Sequence, residues 1–177
     1  MNQNVPMLQR QLKTAQYMLL ATVIATVVNI VLLLSRSDMY IPYCAAAAYY
    51  LILLGYYFDA LTLSTYTATA MVMAFVILAL WLLVWWKAKR STAWLKVGMI
   101  LSIVDTVAFG AYVFLFTQDP IFNLLEGVMH IAVIYEIYVG LKAAKALAQA
   151  KEGPRQPPFD PFDDPTPTQI QYTDEIE

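Results

Sequence analysis

Apolar stretches of membrane-crossing length follow one another almost without a break from residue 15 to residue 141, and this succession restricts the chain to one class of fold. A helix needs about 20 apolar residues to cross a hydrocarbon core. Five stretches approach that length, at residues 15–34, 40–58, 65–86, 97–116 and 121–141. In lipid every backbone N–H and C=O must find its partner inside the protein, so such stretches form helices. The chain is therefore expected to be all-α, a polytopic membrane helical bundle. Its 60% hydrophobic and 14% charged composition, with a mean hydropathy of +0.56, lies far from that of a soluble domain.

The distribution of basic residues predicts an orientation. With five spans, an outside N-terminus and an inside C-terminus place Arg36, Lys87, Lys89, Arg90, Lys96, Lys142, Lys145, Lys151 and Arg155 inside, leaving Arg10 and Lys13 outside. The rival has four spans, with residues 40–58 interfacial or re-entrant and both termini inside. It leaves only Arg36 outside. The uncharged run "CAAAAYYLILLGYYF", with tyrosines at both ends, favours the five-span reading. The first stretch follows "QRQLK" and is longer than a signal-peptide core, so it is expected to be retained as a helix.

Three regions follow from composition: an N-terminal tail at 1–14, a transmembrane domain at 15–148 and a cytoplasmic tail at 149–177. The tail sequence "PRQPPFDPFDDPTPTQIQYTDEIE" is rich in proline and acid, cannot bury a core and is expected to be disordered. The loop "KAKRSTAWLK" sets Lys87, Lys89 and Arg90 among Trp85, Trp86 and Trp94, a pattern of interfacial anchors. The lipid bilayer is thus the first partner, with a membrane-protein partner or a second copy of the chain possible in addition. No basic patch interleaved with aromatics suggests nucleic acid.

On the fourth stretch, Gly98, Ser102, Thr106 and Gly110 recur every four residues, the spacing of a groove for close helix packing. Asp105 lies on the same stretch. On the fifth, Glu126 and His130, the chain's single histidine, share one helix face four residues apart. Asp105 precedes Gln118 by 13 residues and His130 follows it by 12, so across a hairpin both lie roughly 18–20 Å from the turn. Asp105 is the expected partner of His130. Glu136 points elsewhere, near the inner boundary. Buried ionisable groups in a membrane mark either a hydrogen-bonded packing cluster or a proton or cation path. A divalent-metal site is a third option, though no ligand pair has recognised metal spacing.

Motifs for nucleophilic, zinc or phosphate chemistry are absent, and Cys44, the single cysteine, stands among apolar neighbours without an adjacent cation. No catalytic residue, cofactor or metal is expected. Thr22, Thr26 and Asn29 are candidates for interhelical hydrogen bonds. The segments "LKTAQYMLLATVIATVVNIVLLL", "SDMYIPYCAAAAYY", "SIVDTVAFG" and "MHIAVIYEIYVGLKAAKAL" together resemble a group of small five-span membrane proteins of Firmicute-type bacteria. The resemblance implies a multi-pass protein of a bacterial cytoplasmic membrane and points to Asp105 and His130; it carries no activity. The functional expectation is a non-enzymatic accessory, anchoring or interaction component. The alternative is a small transporter or channel subunit with a proton or cation path through Asp105, Glu126 and His130.

Overall fold

The computed structural model describes residues 5–62, 65–116 and 120–152. All its regular elements are helices: α1 (Val5–Leu34), α2 (Ala46–Thr62), α3 (Tyr66–Ala88), α4 (Thr92–Phe116) and α5 (Pro120–Glu152). Residues 153–177, most of the expected acidic tail, lie outside the described residues, as do 117–119 of the expected hairpin turn.

Four of the five helices, α1, α3, α4 and α5, are long and apolar enough to cross a membrane. Their outer surfaces carry large apolar side chains in the open, among them Val72, Val76, Val104, Val107 and Ile131. An apolar exterior of that extent is the surface of a membrane-embedded protein. The fifth helix, α2, has 17 residues, about 25 Å at the helical rise, and falls short of the other four.

Neighbouring residues define how the helices run. Gln16 of α1 donates from Nε2 to the carbonyl of Ala88 at the end of α3, at 3.0 Å, satisfying a backbone acceptor the helix leaves open. Gly98 of α4 faces Leu19 and Val84, and Gly140 of α5 faces Ala15. These residues share one end of the bundle, so α1 and α4 run away from it while α3 and α5 run toward it. The pairing of α1 with α5 is the most extensive, and Gly140 explains its closeness: a Cβ there would collide with the Cβ of Ala15.

The stretch read as a second span behaves differently. After Leu34 the chain turns back through Arg36, which has φ 54°. The N–H groups of Arg36 and Ser37 bond to the carbonyls of Leu33 and Leu32, at 3.1 and 3.0 Å, closing α1 in a Schellman arrangement. Residues 38–45 then run down the side of α1 without helical structure, Ile41 beside Asn29 and Ala45 beside Thr26. At Ala46 helix α2 starts beside Asp105, and it proceeds parallel to α4, with Tyr50 stacked on Tyr112 and Tyr57 near Phe116. Its end meets the start of α3, where Asp59 accepts the N–H groups of Tyr66 and Thr67 at 2.6 and 3.0 Å. Segment 35–62 thus enters and leaves the bundle at the same end. The expected continuous helix over 40–58 is replaced by an irregular arm and a shorter helix. Pro42, which lacks an N–H, and polar partners on α1 account for the irregular arm.

Candidate functional site

The polar residues inside the bundle converge on that arm and the first turns of α2. On α1, Thr22, Thr26 and Asn29 lie on one face and are fully buried. Asn29 makes a reciprocal pair with Ile41, donating to its carbonyl at 2.9 Å and accepting its N–H at 2.8 Å. Thr26 Oγ1 accepts the N–H of Ala45 at 2.6 Å and donates to the carbonyl of Thr22. Thr22 meets the hydroxyl of Tyr43. Side-chain amide and hydroxyl groups therefore do for residues 41–45 what a helical ladder does elsewhere.

Asp105, 3% exposed, completes the set from α4. Its two oxygens accept the N–H groups of Ala46 and Ala47, each at 2.9 Å, so the carboxylate caps the first turn of α2. The unpaired amides and the positive end of the helix dipole favour negative charge there. The partnership expected from equal depth is present in a looser form: His130 Nδ1 lies 3.8 Å from Asp105 Oδ2, beyond direct hydrogen-bond range.

Glu126, on α5, ties a second group. Tyr40 of the arm donates to Oε1 at 2.8 Å and Tyr50 of α2 donates to Oε2 at 2.6 Å. The Cys44 thiol lies 3.9 Å from Oε1 and 3.4 Å from the Tyr40 hydroxyl. Both Glu126 and His130 are buried, at 3% and 4% exposure.

His130 stands between the two carboxylates. Its ring stacks on Phe109 and meets Tyr43 edge-on, which fixes its plane. Thr106 gives its one hydroxyl proton to the carbonyl of Ser102 at 2.7 Å, so toward His130 Nδ1, 3.4 Å away, it can only accept. Nε2 faces Glu126 Oε1 at 3.9 Å and has no hydrogen-bond partner among the described residues. The cluster thus divides into a satisfied part, which holds the arm and α2, and an unsatisfied edge between His130 and Glu126.

The other expected site residues separate in space. Gly98 and Ser102 are buried against neighbouring helices and Thr106 is half-buried, whereas a Cβ on Gly110 would meet open space. A four-residue spacing drifts about 40° per step against a 3.6-residue turn, so a stripe of four positions cannot stay on one packing face. The buried face of α4 instead follows Leu95, Gly98, Ser102, Asp105 and Phe109. Glu136 is half-buried on α5 and joins none of the contacts above. At the opposite end of the bundle from the arm, Lys89 sits 3.8 Å from the Trp85 ring centroid, and Lys87 and Arg90 lie over Trp86. Trp94 is half-buried beside them.

Tyr40, Tyr43, Cys44 and Tyr50 were not among the expected site residues. Their signal is visible in retrospect: "SDMYIPYC" contains a proline and turn-forming residues where a regular span should begin, and Thr22, Thr26 and Asn29 recur at helical spacing opposite it.

Comparison with protein-family models, curated proteins and solved structures finds no match to this chain. The geometry of the chain itself is therefore the basis for any reading of what it does.

Proposed function

We propose that this chain is a non-enzymatic integral membrane protein, an accessory or interaction component, with four crossings and one re-entrant segment. Its intramembrane polar cluster is first of all a clamp on that segment. One observation carries the reading: Thr22, Thr26, Asn29, Asp105 and Glu126 each make at least one hydrogen bond to residues 40–50. Irregular backbone at membrane depth is tolerated only where protein or cavity surrounds it, and these side chains supply what lipid cannot. The five-span orientation is replaced in this proposal by the four-span one, with both termini on the side of the basic loop. Charge supports it. Arg10, Lys13, Lys87, Lys89, Arg90, Lys96, Lys142 and Lys145 fall at that end, and Arg36 at the other. The resemblance noted above supports a bacterial cytoplasmic membrane, and in that setting the charge pattern favours the basic end inside.

Single-cysteine labelling in a Cys44→Ser background tests the topology. Probes at Arg10 and Lys89 should react from one side of sealed vesicles and a probe at Arg36 from the other. Opposite-side labelling of Arg10 and Lys89 would restore the five-span reading.

A second reading, a small transporter or channel subunit, draws on the unpartnered Nε2 of His130 and on the break in the chain at mid-bundle, a feature of many transport sites. Liposome flux assays with pH- and cation-sensitive dyes separate the two. Flux that is lost in a folded His130→Ala variant supports transport; a flux-free protein whose thermal stability depends on Asp105 supports the clamp.

A further inference from the structure

A groove beside Glu126 is left unused by the clamp. Tyr40, Tyr49, Tyr50 and Tyr112 wall it, with Leu53, while Glu126 and Asn123 of α5 complete its lining; its volume is about 330 Å³. The rings form a contiguous set. Tyr40 and Tyr49 have centroids 5.1 Å apart, Tyr49 and Tyr50 meet edge-on at 5.3 Å, and Tyr50 stacks on Tyr112 at 3.9 Å.

Glu126 is the acidic group of this lining, and its hydrogen bonding is incomplete. A carboxylate offers about four lone-pair sites, and two tyrosine hydroxyls occupy one on each oxygen. Among the described residues no lysine or arginine forms an ion pair with it. The Cys44 thiol and His130 Nε2 each lie 3.9 Å from Oε1, and Nε2 has no hydrogen-bond partner among the described residues. A second buried carboxylate, Asp105, competes for the same imidazole. Two acids thus face one histidine in a place where water cannot compensate.

A carboxylate set in an aromatic wall is the chemistry that receives an ammonium group. Ring quadrupoles attract the cation, the carboxylate opposes its charge, and both attractions strengthen away from water. An anion would meet Glu126 unfavourably, and a neutral apolar molecule would leave it uncompensated. The volume, near the lower end for small-ligand pockets, suits a head group with a short apolar extension. Because the surrounding surface is apolar, the ligand reaches the groove through lipid.

We infer that the groove between α2, α4 and α5 binds an amphiphilic ammonium cation, with Glu126 as counter-ion and Tyr40, Tyr49, Tyr50 and Tyr112 as the cage. The ammonium of a lipid head group and that of a free alkylamine share this chemistry. The inference goes beyond the clamp and does not depend on transport: binding without flux leaves the accessory reading in place.

The test is a titration of the purified full-length protein in neutral maltoside detergent with hexyltrimethylammonium, with 1-hexanol and hexanoate as controls, read by thermal unfolding and calorimetry. The ammonium should bind saturably and raise the midpoint, and the neutral and anionic hexyl compounds should not. Glu126→Gln, whose amide can still accept from one tyrosine and donate to the other, should weaken binding by roughly tenfold or more, and Tyr112→Leu by several-fold. Equal responses to hexanol and to the ammonium, or unchanged affinity in a folded Glu126→Gln, would overturn the proposal. If Glu126→Gln does not fold, unchanged affinity in both Tyr49→Leu and Tyr112→Leu overturns it equally. Nanodiscs separate the sources: loss of the response when phosphatidylethanolamine replaces part of the phosphatidylglycerol identifies a lipid amine, and an unaltered response identifies a free amphiphile.

Discussion

Asp105, in the middle of α4, accepts the N–H groups that open α2, with Ala46 at 2.9 Å on one oxygen and Ala47 at 2.9 Å on the other. A helix that starts inside the bundle is thereby capped by a residue 59 positions away in sequence. Asp59 repeats the device at the bundle end, where it caps α3. Each acid answers the same demand, the unpaired amides of a helix N-terminus, and each comes from a different helix.

Removing the buried cap should loosen α2 before it unfolds the bundle. Asp105→Ala leaves one buried and one part-buried N–H group without acceptors and is expected to cost about 2–4 kcal/mol. Asp105→Asn keeps one acceptor and should cost less. Thermal unfolding in detergent gives the order, and the rate of thiol labelling at Cys44, now fully buried, should rise in the Ala variant. Unchanged labelling would mean that the arm is held without Asp105.

Helix packing around α5 depends on a missing side chain. Gly140→Ala would drive a methyl group into Ala15 and should destabilise by about 1–3 kcal/mol, because both helices must shift. Gly110→Ala is the contrasting substitution. It enters open space and should be neutral or stabilise by up to about 1 kcal/mol through helix propensity. Equal losses at the two positions would contradict the packing described.

The turn after α1 holds a non-glycine residue at positive φ, Arg36 at 54°. Left-handed backbone costs an L-residue roughly 1 kcal/mol, which glycine avoids. Arg36→Gly should therefore raise the unfolding temperature, and Arg36→Val should lower it. The charge lost in both variants makes their difference the informative measurement.

Asp59 gives the stability a pH dependence of known sign. The Thr67 hydroxyl beside it and the N–H groups of Thr67 and Tyr66 hold its carboxyl below the usual carboxylate range. A carboxyl whose folded value is depressed adds stability above its unfolded value and loses that contribution as pH falls through the folded one. Unfolding temperatures of the protein and of Asp59→Asn, compared from neutral pH down into the acid range, should converge as the carboxyl protonates. A gap that stays constant with pH would show that the cap does not act through charge.

Much of the cluster was legible before any coordinates. Helical rise alone put Asp105 and His130 at one depth, and four-residue spacing put Glu126 on the face of His130. What could not be read was the partner of each. Asp105 matched His130 in depth, yet its short bonds go to Ala46 and Ala47, because an open helix end offers two aligned donors and the imidazole lies at 3.8 Å. The small-residue stripe divides between two faces. Its period of four slides around the helix, so Gly98 is packed and Gly110 faces outward.

The chain's apolar runs determined by themselves that it would be helical and membrane-embedded, since lipid offers no partner for an unpaired peptide group. The charged and polar residues within those runs had to be inside the bundle for the same reason. Only the tertiary structure decided that residues 35–62 return to the end from which they came. Hydropathy measures how apolar a segment is and carries no record of direction. Direction was set by hydrogen bonds between distant residues, Asn29 with Ile41, Thr26 with Ala45 and Asp105 with Ala46, which together make a broken segment cheaper to bury than a straight one.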